Sequence, residues 1–590
     1  VPPFILAGWF TVLFRPGHAH QAVANAVLTS QLSRSKSNEK DNLIPTFFLF
    51  SFGKLIQNQN TMRLLSFLLF FCCSQILNAQ NLKSGGVLKP EQAIMDIRHY
   101  RIVLDVDPAQ QTIDGFTEIT TITSQPTNTL LFDLVNLLKV RKVWVNKKEQ
   151  TFSHENDLIT IKLNKPLPAG SAIIKIEYGG KPGIAQRPPW SGGFTWSKDS
   201  AGNPWVAITC QGEGAKIYFP CKDHPSDEPN EGAELLITVP EGLYVAGPGL
   251  LRKTSTRNGK STYHWETNYT INNYSILFNI GKYKVATRTY KTINGNSVPM
   301  QAYLLEENFD QANSLLDIFE RSAGVLEKYF GEYPWIKEKM AVCETPHLGM
   351  EHQTLNAYGN KFNFTKSGGK DFDWLLHHEF GHEWWANKVT GIDWADMWVQ
   401  EGICSFGDAL YTREYDGEEA YLKRMQQTSR NTQNKLPIVM GENLDTDTVY
   451  HGDIYGKGAF FMHTLRYVIG DEVFFPTLKK LATDPKYTYD NLVNTNDVEK
   501  LFSEASKQNL KPLFDFYLRT IKKLEVSVRD LGNSTYQIRL LNYEGYLPLD
   551  IQTEDGLKRT IVSQNGVKVT SSTWPQIDPK VYYLKKVILE

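Results

Sequence analysis

His378-Glu379-Phe380-Gly381-His382 carries the densest chemistry in the chain. Histidines at i and i+4 project from one helix face, a turn apart. Both imidazoles can then reach one tetrahedral zinc ion, with the Glu379 carboxylate beside the open coordination position. The bland alternative is a helix with two surface histidines. A catalytic zinc keeps three protein ligands, and Glu401 is a candidate third, with 18 residues between it and His382. Trp398 to Gly402 reads as the next amphipathic helix, after a break at Thr390-Gly391. A helix, a turn and an antiparallel return would bring Glu401 back to the histidines. Alone, such a glutamate is a solvated charge. With the histidines it completes a two-histidine, one-carboxylate set for one Zn2+ per chain.

Those residues need a frame. From Met95 to Val285 short alternating runs, such as Tyr100 to Val106 and Glu234 to Val239, are broken by turns such as Lys181-Pro182-Gly183. That texture predicts a large antiparallel β-domain. Helical spacing starts near Asn308 and covers Phe309 to Tyr329, Phe372 to Val389, Glu418 to Gln427, Ala459 to Val468, Val498 to Leu510 and Leu513 to Ile521. Alternation returns after Lys523. The expected architecture is multidomain α+β: an N-terminal β-domain over residues 88–287, a mainly helical catalytic domain over 288–523, and a small β-module over 524–590.

The 590 residues are 41% hydrophobic and 22% charged, an ordinary globular balance for several domains. A formal net charge of -1 gives no footing for a nucleic-acid partner. Six cysteines, none in a Cys-x-x-Cys pair, are too few for a disulfide framework. Cys72 and Cys73 fall in a basic-start, short apolar segment running from Met62-Arg63 to Leu77-Asn78-Ala79. Its flanks and its length of about ten apolar residues describe a secretory signal peptide over residues 62–79 rather than a membrane span. Residues 1–61 precede the first methionine and are not expected in the mature protein. The mature chain is expected to carry no membrane anchor and to be exported, to a bacterial periplasm or the extracellular space.

With Glu401 in place, the zinc motif resembles that of the aminopeptidase N family, the gluzincin aminopeptidases that include the leukotriene-epoxide hydrolases. Trp384 to Thr390 and Asp396-Met397-Trp398 are also similar to its pattern, and the likeness runs from about Met95 to Ile521. It implies a thermolysin-like catalytic domain and peptide substrates with a free N-terminus. Leu348-Gly349-Met350-Glu351-His352 resembles the family's Gly-Ala-Met-Glu-Asn segment, keeping Met350 and Glu351 and departing at Leu348, Gly349 and His352. By that resemblance Glu351 holds the substrate ammonium, a charge-assisted contact that an acylated terminus cannot make, while Gly349 and Met350 contact substrate. Gln211, ahead of Phe219-Pro220-Cys221-Lys222-Asp223, matches the family's second amine contact. Tyr455-Gly456-Lys457-Gly458 is similar to its Tyr-x-Lys-Gly, which makes Tyr455 the oxyanion donor.

The resemblance thus implies a zinc aminopeptidase in which Glu379 activates water as general base. A thermolysin-like endopeptidase would share the zinc set without needing an amine anchor, and a metal-free peptide-binding scaffold would be expected to lose some of these residues. N-terminal sequencing of exported protein is expected to read from near Gln80. A mature form beginning near Val1 would overturn the signal-peptide reading.

Overall fold

The computed structural model describes residues 82–590, so the segment expected as a signal peptide lies outside the described residues. Alternation produces the expected sheets. Along the strand Met95–Asp107, Met95 and Ile97 face inward, then Tyr100, Ile102, Leu104 and Val106 do. The phase changes at Arg98, where the register slips against the partner strand: a bulge. This strand lies inside an eight-stranded sheet. One pairing departs from the antiparallel expectation, because Met95–Asp107 runs parallel to Ala233–Pro240. A parallel pair requires a long crossover, and the intervening chain supplies it. The crossover includes Gly193–Lys198 and Pro204–Thr209, two strands of a second, four-stranded sheet, and the end of the latter delivers Gln211.

The strand Tyr283–Lys291 opens a five-stranded sheet, followed in spatial order by Ser297–Leu305, Met340–Glu344, Asn356–Tyr358 and Gly349–Met350. Helix α1 (Ala312–Phe330) crosses between the parallel strands Ser297–Leu305 and Met340–Glu344. The edge strand Gly349–Met350 ends directly at Glu351. Next come α2 (Trp374–Gly381), α3 (Trp398–Asn431, broken at Gly417 with φ 87°), α4 (Asp453–Ile469), α5 (Asp471–Thr483), α6 (Thr495–Ser506) and α7 (Lys511–Leu518). Two small sheets from residues 524–590 end the chain. The result is a sheet-rich N-terminal part, a helical catalytic part and C-terminal sheets. Among the described residues, no helix is long and apolar enough to cross a membrane, and Cys210, Cys221, Cys343 and Cys404 are all buried and unpaired.

Helix α2 starts where Asp373 accepts hydrogen bonds from the backbone N–H groups of Leu375 and Leu376, a side-chain N-cap. It is shorter than the periodicity over Phe372 to Val389 predicts. It stops at Gly381, and the chain folds into turns in which Asn387 N donates to His382 O and Ala386 takes φ 129°. The apolar run past Gly381 has another use. Trp384 packs on Phe380 and Tyr333 while Trp385 packs edge-on against Phe330, and both indoles are fully buried. Consecutive side chains on a helix point about 100° apart, and the turns let both reach the core.

Helices α3 and α4 cross at two glycines. A Cβ on Gly402 would lie 2.8 Å from Gly458 Cα and 3.0 Å from Ile454 O, with backbone rather than a movable side chain in the way. Gly402→Ala is therefore expected to destabilise the fold by about 1–3 kcal/mol, the usual cost of overpacking. Urea unfolding checks this, and an unchanged midpoint would show that the crossing can open freely.

Candidate active site

One cavity of about 330 Å³ is lined by residues from both main parts of the chain, among them Gln211, Glu351, His378, Glu379, Glu401 and Tyr455. Gly349, Met350 and His382 line it too, so every residue singled out in the sequence comes to one place. His378 and His382 stand one turn apart at the end of α2, and Glu401 lies in the first turn of α3.

These three offer a fitting donor set for zinc. The Nε2 atoms of the two histidines are 3.3 Å apart. Glu401 Oε2 lies 3.3 Å from His382 Nε2 and 3.8 Å from His378 Nε2. A tetrahedron with metal bonds of about 2.0–2.1 Å has edges of about 3.3 Å, which these separations approach. Glu401 Oε2 is moreover buried without a hydrogen-bond donor, a costly state for a carboxylate oxygen unless a cation completes it. The other ring nitrogens are held in place. His378 Nδ1 lies 3.1 Å from Asp408 Oδ2, and His382 Nδ1 lies 2.7 Å from Trp385 O. Such outer contacts fix the tautomer and aim Nε2 at a metal. Cys404 is a neighbour, but its thiol donates to His378 O at 3.1 Å and approaches the Nδ1 side of that ring. Glu401, facing Nε2, is the better third ligand.

Glu379 projects from α2 between the histidines and is buried, which pushes its carboxyl upward; Glu351 and Glu401 add to that while His378 and His382 oppose it. A Cβ at Gly349 would sit 2.6 Å from Glu379 Oε1, so the departure from alanine at this position opens room for that carboxylate. Glu351 is buried as well. Gln211 Nε2 at 2.6 Å and the Tyr274 hydroxyl at 2.9 Å both donate to Glu351 Oε1, and none of these bonds goes to Oε2. Tyr455 lies in the first turn of α4, its hydroxyl 2.6 Å from that of Tyr450. Burial, then the charge of Glu401, pushes its phenol well above the ordinary value, so it keeps a proton to donate.

His352, the other departure, turns away from the cavity. It is fully buried with both ring nitrogens unpartnered, and so is His347 a few residues earlier. Four partners were not singled out in the sequence: Asp408, Tyr274, Asn387 and Tyr450. Asp408 had a readable signal, since it follows Glu401 by seven residues and so shares its helix face. Asn387 and Tyr450 come from loops and Tyr274 from the single 3-10 turn Asn273–Ser275, where spacing carries no such information.

Residues 97–274 match the Peptidase M1 N-terminal domain and residues 312–517 match the Peptidase family M1 domain. The chain belongs to peptidase family M1, whose cofactor is a single zinc ion, as the donor set here accommodates. It is 24% identical over 391 residues to aminopeptidase B of Rattus norvegicus, a match covering 62% of this chain and 56% of the relative. To the tricorn protease-interacting factor F2 of Thermoplasma acidophilum it is 21% identical, covering 73% and 55% respectively. The chain thus spans little more than half the length of these relatives. The crystal structure of an M1 zinc metallopeptidase from Deinococcus radiodurans superposes with a TM-score of 0.59 at 21% identity, covering 72% of this chain and 93% of that one.

The two buried histidines flank the segment that carries Glu351, and burial lowers both, His347 to about 3. A histidine that stays neutral when folded but protonates near 6.5 when unfolded supports the fold above pH 6.5 and loses that support as pH falls from 6.5 toward 3. Between pH 7.5 and 5.5, His347 alone accounts for about 1.4 kcal/mol of lost stability. His347→Phe is expected to shrink the pH-dependent loss, read from urea unfolding at both pH values, by about that amount. An unchanged slope would mean that the imidazole takes up a proton in the folded state.

Proposed function

We propose that this chain is a zinc aminopeptidase that hydrolyses the first peptide bond of substrates with a free N-terminus. The carrying observation is Glu351, a carboxylate buried in the cavity wall with two donors gathered on one oxygen. That oxygen is fixed, and the second is left for an ammonium group. A thermolysin-like endopeptidase must instead pass a continuous chain through this end of the cleft, where an anchored negative charge has no use. A scaffold without activity needs neither Glu379 nor a protonated Tyr455 at the same cavity.

His378, His382 and Glu401 hold the zinc ion, which when bound supplies Lewis acidity toward the scissile carbonyl and the attacking water. Glu379 takes the proton of that water as general base and passes it to the leaving amine. The Tyr455 hydroxyl donates to the oxygen on which negative charge develops. Glu351 binds the substrate ammonium, Gln211 holds Glu351 from the β-domain side, and Gly349 and Met350 line the wall beside the first residue of the substrate. We further propose that the protein works outside the cytoplasm, on the strength of the apolar segment after Met62.

Two substitutions test separate parts of this reading. Glu379→Gln keeps the three ligands, so zinc content is expected to stay near one per chain while kcat falls about a hundredfold or more. Glu351→Ala leaves an ammonium without its counter-charge, at about 2–5 kcal/mol. Hydrolysis of free-amine peptides should drop about a hundredfold, and N-acetylated peptides, poor substrates of the parent, should lose much less. If both substrates lose equally in zinc-replete, folded protein, the chain is a zinc peptidase without an amine anchor.

A further inference from the structure

Directly after His382 comes Glu383, which lines no part of the cavity and is fully buried. Each of its recorded partners is a donor. Oε1 accepts from Thr354 N at 2.9 Å and Asn356 Nδ2 at 3.3 Å; Oε2 accepts from Trp335 Nε1 at 2.6 Å and Asn387 Nδ2 at 3.3 Å. Burial pushes this carboxyl up and the four donors pull it back. Asn387 Nδ2 is shared, because it also donates to the backbone oxygen of Glu351 at 2.9 Å. Asn272 Nδ2 in turn donates to Asn387 Oδ1 at 2.8 Å, which fixes the orientation of that amide.

We propose that Glu383 is a positioning residue that ties the loop carrying Glu351 to the helix end carrying His378 and His382, and so sets where the substrate ammonium sits relative to the scissile bond. The inference rests on Glu351 being the amine anchor. Its partners show where the restraint acts. Thr354 and Asn356 lie three and five residues beyond Glu351, and Asn387 holds Glu351 itself through its carbonyl. Thr354 takes φ 57°, a left-handed conformation unfavourable for a β-branched residue. Such a turn persists only when its surroundings hold it. Here Glu383 holds its N–H, and Gly249 N donates to its hydroxyl at 2.8 Å. On the other side Glu383 is one peptide unit from a metal-binding histidine. A shift of the loop relative to that point moves the amine anchor while leaving the metal donors where they are. Catalysis is sensitive to this kind of error, because a misplacement of about 1 Å can cost about a hundredfold in rate.

Glutamine at 383 would present an NH2 group to a ring of donors, so Glu383→Gln breaks the tie while keeping its volume. Two competitive inhibitors read the effect on the zinc-loaded protein: L-leucine hydroxamate, and 4-methylpentanohydroxamate, the same compound without its amine. Both share one metal-binding group and one side chain, so the ratio of their inhibition constants isolates the ammonium contact. Glu383→Gln is expected to weaken the amine-bearing compound about tenfold or more, the value of one hydrogen bond to a buried charge, and to leave the other within about twofold. Asn387→Ala should give the same selective loss, which keeps the test open if the first variant folds poorly. Added to Glu351→Gln, which alone removes the amine preference, Glu383→Gln should change the ratio no further. A lower unfolding temperature with an unchanged ratio, or an equal weakening of both compounds, would overturn the inference. A parent protein that shows no preference for the amine-bearing compound would instead overturn the amine anchor itself.

Discussion

Where α3 crosses α4, the glycine backbones of Gly402 and Gly458 approach so closely that a methyl group on either would lie within 3 Å of the other's Cα. Glu401 is the neighbour of the first glycine, and Tyr455 lies one turn before the second. The crossing therefore sets the distance between the proposed third metal ligand and the proposed oxyanion donor. With any larger residue the helices would stand further apart, and Tyr455 would retreat from the metal donors by an amount that a hydrogen bond cannot absorb. α2 then docks on the same face of α3, because Cys404 and Asp408 follow Glu401 at helical spacing and meet the back of His378. Three helices are thus placed by backbone contact and side-chain spacing before any metal is considered.

The electrostatics of the cavity point to what it takes in. Glu351, Glu379 and Glu401 are all buried around one space, Glu213 and Asp447 line it as well, and among the described residues no lysine or arginine does. Burying like charges together is unfavourable, and the protein supplies no side-chain cation in the lining to offset it. Donors soften the cost at Glu351 through Gln211 and Tyr274. At Glu401 the same compensation is missing from Oε2. Under the proposed function two cations of different kinds resolve the imbalance, a divalent ion at the histidines and an ammonium at Glu351. On that proposal a neutral or acylated terminus leaves one carboxylate uncompensated, at the cost of a buried unsatisfied charge.

The metal set was the most legible part of the sequence, because two histidines at i and i+4 and a carboxylate on the following helix are constraints of spacing alone. Elements read from periodicity were found where expected, with ends that differ. α2 is shorter than its apolar pattern because Trp384 and Trp385 use their hydrophobicity in turns. α4 begins ahead of its apolar run, and that early turn is the one that carries Tyr455. The parallel pairing of Met95–Asp107 with Ala233–Pro240 left no trace in either strand's own alternation. Its consequence is large, since the crossover it demands is what carries Gln211 to the cavity. Glu351 needed the family resemblance. The segment around it, with a left-handed Thr354 and buried His347 and His352, has no periodic pattern to read at all.

The proposed amine site is assembled at a seam. The zinc donors, Glu379 and Tyr455 all come from helices of one part of the chain, whereas Glu351 is braced by Gln211 and Tyr274 from the β-domain. More bonds cross nearby: Asn272 to Asn387, Gln353 N to Ser275 Oγ at 3.3 Å, and Lys339 Nζ to the carbonyls of Gly247 and Gly249 at 2.8 and 2.6 Å. Lys339 also stands over the ring of Trp265, 4.7 Å from its centroid. These contacts fall around residues 339–354 and 387 rather than at the metal donors. The proposed hydrolytic residues and the proposed amine anchor are therefore braced by different parts of the chain. Glu351 itself belongs to the catalytic part, and what the β-domain adds is the pair of donors, Gln211 and Tyr274, that fix one of its oxygens.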